Sequence, residues 1–197
     1  CVAPADAKEE GMDAELVTRA QRGDQVAFAR LLELIDDRFH RVAYGILRDM
    51  GLAQDAVQTA MLRIWQELPR LREPAAFDAW AYRLLVRVSL QEAKRAKRWM
   101  PAITGADEDV AATRELAAVA DRDQLERGFR LLTADQRAAI VLHHYLDLPH
   151  EEIAAILGIP VGTARSRLSR ALQALRAVLE AEARAATVET AAREPVL

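Results

Sequence analysis

The chain has 197 residues, of which 51% are hydrophobic and 29% charged, a balance that suits one or two small folded domains and excludes wholesale disorder. The 8 glycines and 7 prolines exclude a collagen-like chain, and the single cysteine, Cys1, excludes a disulfide framework or a cysteine-based zinc cluster. Aromatic residues make up only 5%, which favours helices over a β-sandwich. The formal net charge is −3, which argues against a uniformly basic surface.

Apolar residues at steps of three and four predict three long helices in the first half of the chain. The first begins after Asp24, which is a suitable N-cap, and ends at Gly51. The second and third span about 54–68 and 75–99, and each ends before a proline. The loop 68–77 joins these two helices.

Residues 101–112 lose the apolar periodicity and contain a glycine and an acidic run. They are predicted to form a flexible acidic linker, with an acidic loop inside a single domain as the alternative. Beyond them, Thr133 and Gln136 have the spacing of a capping box, in which each side chain bonds the other residue's backbone N–H. The predicted helices of the second half are about 113–132, 134–145, 149–157 and 161–185.

Charge is distributed in blocks along the chain. Residues 83–98 carry six basic side chains and one acidic, and residues 159–179 carry four basic side chains and no acidic one. Between these blocks, residues 101–126 carry seven acidic side chains and two basic ones. This pattern is typical of two polyanion-binding surfaces joined by a flexible linker. The alternative is that the basic blocks are solvated helix faces.

A short helix, a turn containing Gly158 and a basic helix form a helix-turn-helix pattern. Arginines in the first turns of the second helix can bind guanine or phosphate through two hydrogen bonds, and short hydroxyl side chains can bind phosphate. A helical hairpin with a charged outer face is the alternative. The predicted DNA contacts of this recognition helix are Thr163, Arg165, Ser166, Arg167, Ser169 and Arg170.

The order of motifs resembles the sigma-70 family of bacterial RNA polymerase sigma factors, in its extracytoplasmic-function (ECF) group. Residues 53–65 (AQDAVQTAMLRIW) and 77–83 (FDAWAYR) resemble the family's region 2. Residues 132–142 (LTADQRAAIVL), 148–155 (LPHEEIAA) and 158–170 resemble its region 4. The resemblance extends over nearly the whole chain, with a linker where the family's region 3 is absent.

The resemblance implies an all-α fold of two small helical domains, a region 2 bundle and a region 4 helix-turn-helix, joined by the flexible acidic linker. The implied domains are region 2 at 13–100, the linker at 101–112, region 4 at 113–180 and a C-terminal tail at 181–197. The implied function is to bind core RNA polymerase, direct it to promoters through −35 and −10 elements, and promote DNA melting.

The resemblance also implies which surfaces act. Region 4 holds the β flap and reads the −35 element, and region 2 docks on the β′ clamp helices. Region 2 further reads the −10 element as a single strand, which requires a pocket for a flipped base and a basic track. The implied polymerase contacts are Asp55, Gln58, Met61, Leu62 and Trp65, and the implied −10 contacts are Arg70, Arg72, Tyr82, Arg83, Arg87, Lys94 and Lys97.

The sequence departs from the family pattern at three places. Gln54 and Thr59 replace acidic residues of the polymerase-docking helix, so we hypothesise that phosphorylation of Thr59 restores the missing charge. Val86 and Arg87 stand where the family commonly has Arg-Asn, which puts the −10 preference in doubt, and Pro160 replaces a common serine cap.

No catalytic residue, cofactor or metal site is predicted, because no nucleophile–base pair or metal-ligand cluster appears. Two other functions stay open: a decoy that binds an anti-sigma factor without binding DNA, and a dimeric helix-turn-helix repressor. The family implies an anti-sigma partner, often anchored in the membrane. No apolar run approaches the roughly 20 residues of a membrane span, so we expect a cytoplasmic protein without direct membrane insertion.

Overall fold

The computed structural model describes residues 13–99 and 118–193, and every regular element in these two ranges is helical. None of these helices is long and apolar enough to span a bilayer. The predicted linker, 101–112, lies outside the described residues. The α-helices are α1 (Ala14–Gln21), α2 (Gln25–Leu47), α3 (Met50–Glu67), α4 (Phe77–Trp99), α5 (Ala118–Leu131), α6 (Ala134–Ile140), α7 (His150–Leu157) and α8 (Val161–Arg193).

Three short turns complete the described elements. Two 3₁₀ turns, Leu68–Arg70 and Pro74–Ala76, lie between α3 and α4, each with a proline in its first two positions. A single π turn, Val141–Tyr145, continues directly from α6. The all-α prediction is confirmed, and residues 13–99 are called the first half below, with 118–193 as the second half.

The start of α2 is confirmed at Asp24, whose carboxylate accepts hydrogen bonds from the backbone N–H groups of Val26 and Ala27, both at 3.0 Å. The predicted stop at Gly51 is wrong. Helix α2 instead ends at Arg48, which adopts a left-handed backbone conformation with φ of 58°. Asp49 then caps α3, so Gly51 lies in the first turn of the next helix. The sequence pattern missed this break because arginine rarely adopts positive φ.

The first half packs α1, α3 and α4 around α2, with α3 and α4 also in mutual contact. Phe39 of α2, Ile64 of α3 and Phe77 and Leu85 of α4 are fully buried in this core. Burial of large apolar side chains of this kind is the main stabilising contribution to such a bundle. The core fixes the orientation of α3 and α4, the two helices that carry most of the predicted contacts.

The second half is built on α6, α7 and α8. The predicted capping box is confirmed: the Gln136 N–H donates to the Thr133 hydroxyl at 3.3 Å, and the Thr133 N–H donates to the Gln136 side chain at 2.9 Å. Gly158 ends α7 with φ of 67°, a conformation that favours glycine. Helix α8 continues to Arg193, beyond the predicted end near 185.

The two halves share one hydrophobic core. Val141 and Leu142 of the π turn and Ile153 of α7 belong to the same buried cluster as the α2 and α4 side chains. Helix α6 contacts α2, and α7 contacts α4. A Cβ atom on Gly45 of α2 would lie 2.8 Å from Cγ2 of Val141, so glycine permits the close approach of the two halves there. The halves are therefore packed against each other.

Candidate nucleic-acid and protein interfaces

One face of α3 presents the predicted polymerase contacts. Asp55, Gln58, Leu62 and Trp65 are all exposed and follow one another at steps of three and four residues, which places them on one helix face. Leu62 is 60% exposed and Trp65 47%, high values for large apolar side chains. Met61 is half-buried beside them. The structure thus brings four of the five predicted contacts together on an open surface.

The sequence reasoning missed the part of this surface that α2 contributes. The ring of Phe28 meets that of Trp65 edge to face, with centroids 4.6 Å apart. The apolar periodicity of α2 accounts for an apolar residue at Phe28 but does not indicate its contact with Trp65. The surface around Trp65 therefore includes the Phe28 ring, whereas Val26, which is 76% exposed, lies two residues earlier and faces another side of α2.

The exposed basic residues predicted to contact the −10 strand lie on the loop 68–77 and on one face of α4. Arg70 and Arg72 are exposed on the loop. Arg87, Lys94 and Lys97 are exposed on α4, where their spacing places them within one sector of the helix. All five predicted contacts are accessible, and none has an acidic partner among the ion pairs described for residues 13–99 and 125–184.

Tyr82 and Arg83 are less accessible than the sequence suggested. The Tyr82 ring lies against Phe39, with centroids 5.5 Å apart, and burial raises the pKa of its phenol to about 12. The Nε atom of Arg83 is buried, without a hydrogen-bond partner among the described residues. Tyr82 is on the α4 face that also carries the buried Val86 and Ser89. Tyr82 is half-buried, so only part of its side chain is open to a DNA strand in this conformation.

The recognition helix α8 displays its basic residues openly. Arg165, Ser166, Ser169 and Arg170 are exposed, and Thr163 is half-buried. The opposite face of α8 is fixed to the second half by Ala164, Leu168, Ala171 and Leu175, all buried. Helix α7 packs against α8 across the Gly158 turn, which is the geometry of a helix-turn-helix.

Arg167 differs from its neighbours on α8. Its guanidinium donates to the Asp135 carboxylate of α6 at 2.9 Å, and only 22% of its side chain is exposed. This ion pair holds the side chain against α6 and uses one of the five N–H donors of the guanidinium. The structure thus separates Arg167, which joins α8 to α6, from the exposed basic pair Arg165 and Arg170.

A cluster of polar and aromatic side chains joins the two halves. The Tyr44 hydroxyl of α2 donates to Glu126 of α5 at 2.7 Å, and Glu126 also forms an ion pair with Arg48. The Arg48 guanidinium lies over the rings of Tyr44 and Phe129, 4.6 and 5.5 Å from their centroids. Burial lowers the pKa of Arg48, with Arg130 as a further cause. We call Tyr44, Arg48, Glu126 and Phe129 the interdomain cluster.

Arg137 adds a second connection between the halves. It donates to the backbone carbonyl of Ile46, at the end of α2, at 2.5 Å, and to that of Leu132 at 2.6 Å. Burial, followed by the nearby charge of Arg48, lowers the pKa of Arg137 to about 10. No local pattern indicated this role, because Arg137 lies between the capping box and an apolar run and resembles an ordinary surface residue.

The rings of His143, His144 and His150 contact one another at an angle. The rings of His143 and His144 lie 4.8 Å apart and those of His143 and His150 lie 5.2 Å apart. His143 Nδ1 lies 3.0 Å from the carbonyl oxygen of Leu148, within hydrogen-bond distance. Among the described residues no group of three or more His, Cys, Asp or Glu side chains could hold a metal ion.

Comparisons with known proteins match both halves of the chain. The family model described as Sigma-70 region 2 matches residues 31–99, and the one described as Sigma-70, region 4, matches residues 122–175. The ECF RNA polymerase sigma-E factor of Escherichia coli K12 is 32% identical over 182 residues, which cover 85% of this chain and 94% of that one. The ECF RNA polymerase sigma factor SigM of Mycobacterium tuberculosis is 32% identical over 173 residues, or 87% of each chain.

Among solved structures, the fold is similar to that of the sigma factor RpoE from Bartonella quintana, solved in complex with the anti-sigma factor NepR. The TM-score is 0.63 at 27% identity, and the match covers 78% of this chain and 96% of that one.

Proposed function

Since this chain belongs to the sigma-70 family of RNA polymerase sigma factors, in its ECF group, and directs the polymerase to promoters, we propose which of its surfaces performs each step. A sigma factor is an initiation factor and not an enzyme. In the proposal, residues 13–100 form region 2, which docks on the polymerase and reads the −10 element. Residues 113–180 form region 4, which reads the −35 element. Residues 181–197 are the C-terminal tail.

The exposure of the basic residues on α8 is the observation that carries the promoter-reading proposal. Arg165 and Arg170 project from the first turns of α8, where a recognition helix meets base edges in the major groove. Ser166 and Ser169 lie beside them and supply short donors for phosphate oxygens. We propose that Thr163 and these four residues contact the −35 element, and that Arg167 contacts it through donors that its pair with Asp135 leaves free.

The test is binding of fluorescent duplexes that carry a library of −35 sequences, measured by anisotropy at several salt concentrations. Arg165→Ala should weaken binding to the preferred −35 sequence by about 1–3 kcal/mol and should relax base specificity at one position, as expected for loss of a bidentate base contact. Arg176→Ala is the matched control, because Arg176 is exposed on the same helix but lies outside its first turns. Equal effects of the two substitutions would contradict base reading by Arg165.

We propose that the exposed α3 surface docks on the β′ clamp helices of core polymerase through Asp55, Gln58, Met61, Leu62 and Trp65. The exposed apolar side chains Leu62 and Trp65 support it, because such groups gain most from burial at an interface. Leu62→Ala should weaken core binding by about 1–2 kcal/mol. Met50→Ala is the control, since Met50 is 59% exposed on the same helix but lies three turns away. If both variants lose the same core-polymerase affinity, the proposed docking surface is refuted.

We propose that the loop 68–77 and the basic face of α4 bind the −10 strand. Arg70, Arg72, Arg87, Lys94 and Lys97 supply the exposed positive charge that a single strand requires. Tyr82 and Arg83, both half-buried, join this surface. Replacing Arg72 with Ala should reduce strand affinity and its salt dependence, measured with single-stranded −10 oligonucleotides and assembled holoenzyme. An unchanged salt dependence would exclude Arg72 from the strand path.

The hypothesis that Thr59 is phosphorylated stays a prediction. Thr59 is half-buried in the middle of α3, next to the exposed Gln58. A phosphate there would add roughly −1.5 to −2 charge to the docking surface. If the hypothesis holds, Thr59→Glu should bind core polymerase more tightly than Thr59→Ala, as measured by competition. Equal affinities would refute it.

We propose that a protein anti-sigma factor holds this chain inactive in the cytoplasm, at the membrane where that factor is anchored. The supporting observation is that the similar Bartonella quintana RpoE was solved bound to one. A decoy that binds such a factor without binding DNA is the competing proposal, and the exposed Arg165 and Arg170 disfavour it. Initiation assays with core polymerase on a promoter library discriminate the two, because a decoy yields no transcript.

A further inference from the structure

We propose that Gln21, the last residue of α1, is a positioning residue for −10 reading: its side-chain amide holds the loop 68–77 in its reading conformation. The proposal rests on the strand-reading function proposed above. Gln21 itself is not expected to contact DNA. It acts through the backbone of the loop that carries Arg70 and Arg72.

Two hydrogen bonds connect Gln21 to this loop across nearly fifty residues of sequence. Its Nε2 group donates to the carbonyl oxygen of Leu68 at 3.1 Å and to that of Leu71 at 2.6 Å. These carbonyls stand at the two ends of the first 3₁₀ turn, whose own bond runs from the Leu71 N–H to the Leu68 oxygen at 3.0 Å. A primary amide has two N–H donors, so one side chain can satisfy both oxygens.

The helix that carries Gln21 is itself well anchored. Asp13 caps α1, and Val17 and Ala20 are buried, with 0% and 5% of their surface exposed. Helix α1 contacts α2 and both 3₁₀ turns of the loop. The Gln21 amide therefore fixes the loop to the core, because the backbone of Gln21 cannot shift without disturbing the buried side chains of α1.

The loop needs such support because the backbone bonds of its turns are short-range. They run from Leu71 to Leu68 in the first turn, and from Ala76 to Glu73 and Phe77 to Pro74 in the second. Arg70, the last residue of the first turn, and Arg72, between the two turns, are both exposed. A loop that is ordered before it meets the strand loses less entropy on binding and holds its side chains in register with one base. Loss of the Gln21 bonds should therefore reduce discrimination between bases more than it reduces overall binding.

Two substitutions test whether the hydrogen bonds that Gln21 donates to the Leu68 and Leu71 carbonyls hold the loop. Gln21→Met keeps the length of the side chain and removes its donors, and Gln21→Glu keeps the shape but places acceptor oxygens against the two carbonyls. Should the glutamate variant fail to fold, the methionine variant still tests the proposal. Gln25→Met is the matched control, because Gln25 is exposed at the start of α2, four residues later in the sequence.

The assay is abortive initiation by holoenzyme on promoters that share one −35 element and differ at single −10 positions. Both Gln21 variants should lose about fivefold in −10 base preference, which corresponds to about 1 kcal/mol. Their −35 preference and their affinity for core polymerase should equal those of the wild type and of Gln25→Met. A purely structural role for Gln21 would not separate these three quantities.

The outcomes distinguish this proposal from the one it rests on. If Arg72→Ala alters the −10 preference but neither Gln21 variant does, the positioning role is refuted and the strand-reading role stands. If the Gln21 variants lose −35 preference and core affinity to the same extent, Gln21 only supports folding and the proposal is again refuted. If the wild type shows no −10 preference, or Arg70→Ala and Arg72→Ala leave it unchanged, the strand-reading role fails and the positioning role fails with it.

Discussion

Removing the negative charge of Glu126 should loosen the contact between the two halves. The substitution Glu126→Gln keeps the shape of the side chain, and the amide oxygen can still accept the Tyr44 hydrogen bond, so this change isolates the ion pair with Arg48. Arg48 is held in a left-handed conformation and surrounded by two aromatic rings, and burial already lowers its pKa. The carboxylate is the group that compensates this buried cation.

The magnitude follows from the exposure of the pair. The side chains of Arg48 and Glu126 are 12% and 31% exposed. Removing one partner of a fully buried pair costs about 3–5 kcal/mol, whereas an exposed pair contributes about 0.2–1 kcal/mol. The pair lies between these limits, and we expect a loss of about 2 kcal/mol. This corresponds to roughly a 30-fold change in the ratio of molecules whose halves are packed together to molecules whose halves are apart.

The matched control is Glu33→Gln, which removes the carboxylate of the surface pair Arg30–Glu33. Those side chains are 60% and 66% exposed, so the expected loss is below about 0.5 kcal/mol. Urea denaturation gives the change in unfolding free energy. Small-angle X-ray scattering shows whether the Glu126 variant exceeds the radius of gyration of roughly 16 Å expected for a compact chain of this length. Equal stability losses and equal radii for the two variants would refute the reasoning.

Three further predictions concern single contacts. Thr133→Ala should lower the unfolding free energy by about 1 kcal/mol in urea denaturation, because the capping box is lost, and a change near zero would show that the box is not formed in solution. Gly51→Ala should stabilise its helix by about 0.5–1 kcal/mol, whereas Gly45→Ala should destabilise because its Cβ meets Val141 at 2.8 Å; the reverse order in thermal melts would contradict the close approach. Burial raises the pKa of Tyr82 from 10.0 to about 12, so its contribution to stability is complete below pH 10 and is lost as the pH rises through 12. Denaturation at pH 9 and 11 should show a larger loss for the wild type than for Tyr82→Phe, and equal losses would place the phenol in solvent.

Local patterns in the sequence were enough to predict most of the helices and the motif-bearing surfaces. The Asp24 cap, the Thr133 capping box and the Gly158 turn are short-range features with their own chemistry, and each is confirmed. The exposed faces of α3 and α8 followed from helical periodicity, because the apolar residues on the opposite faces fix which side turns outward.

The features that the sequence did not predict depend on contacts between residues that are distant along the chain. The break at Arg48 is stabilised by the interdomain cluster, and no local residue signals it. Arg167 matched the DNA-reading pattern as well as Arg165 did, but only the fold brings Asp135 beside it. Gln21 is an ordinary helix-ending residue until the loop folds back onto it. Periodicity reports which side of a helix is buried, but not what lies against it.

The shared core of the two halves has a kinetic consequence for promoter search. Helix α7 of the second half packs against α4, while Arg165 and Arg170 of α8 remain open to solvent. Because Arg87, Lys94 and Lys97 of α4 are exposed in the same packed molecule, neither of the two proposed DNA-binding surfaces has to wait for the halves to separate. We expect the spacing between these surfaces to be fixed while the halves stay packed, so that a promoter whose two elements match this spacing is engaged without a separation step.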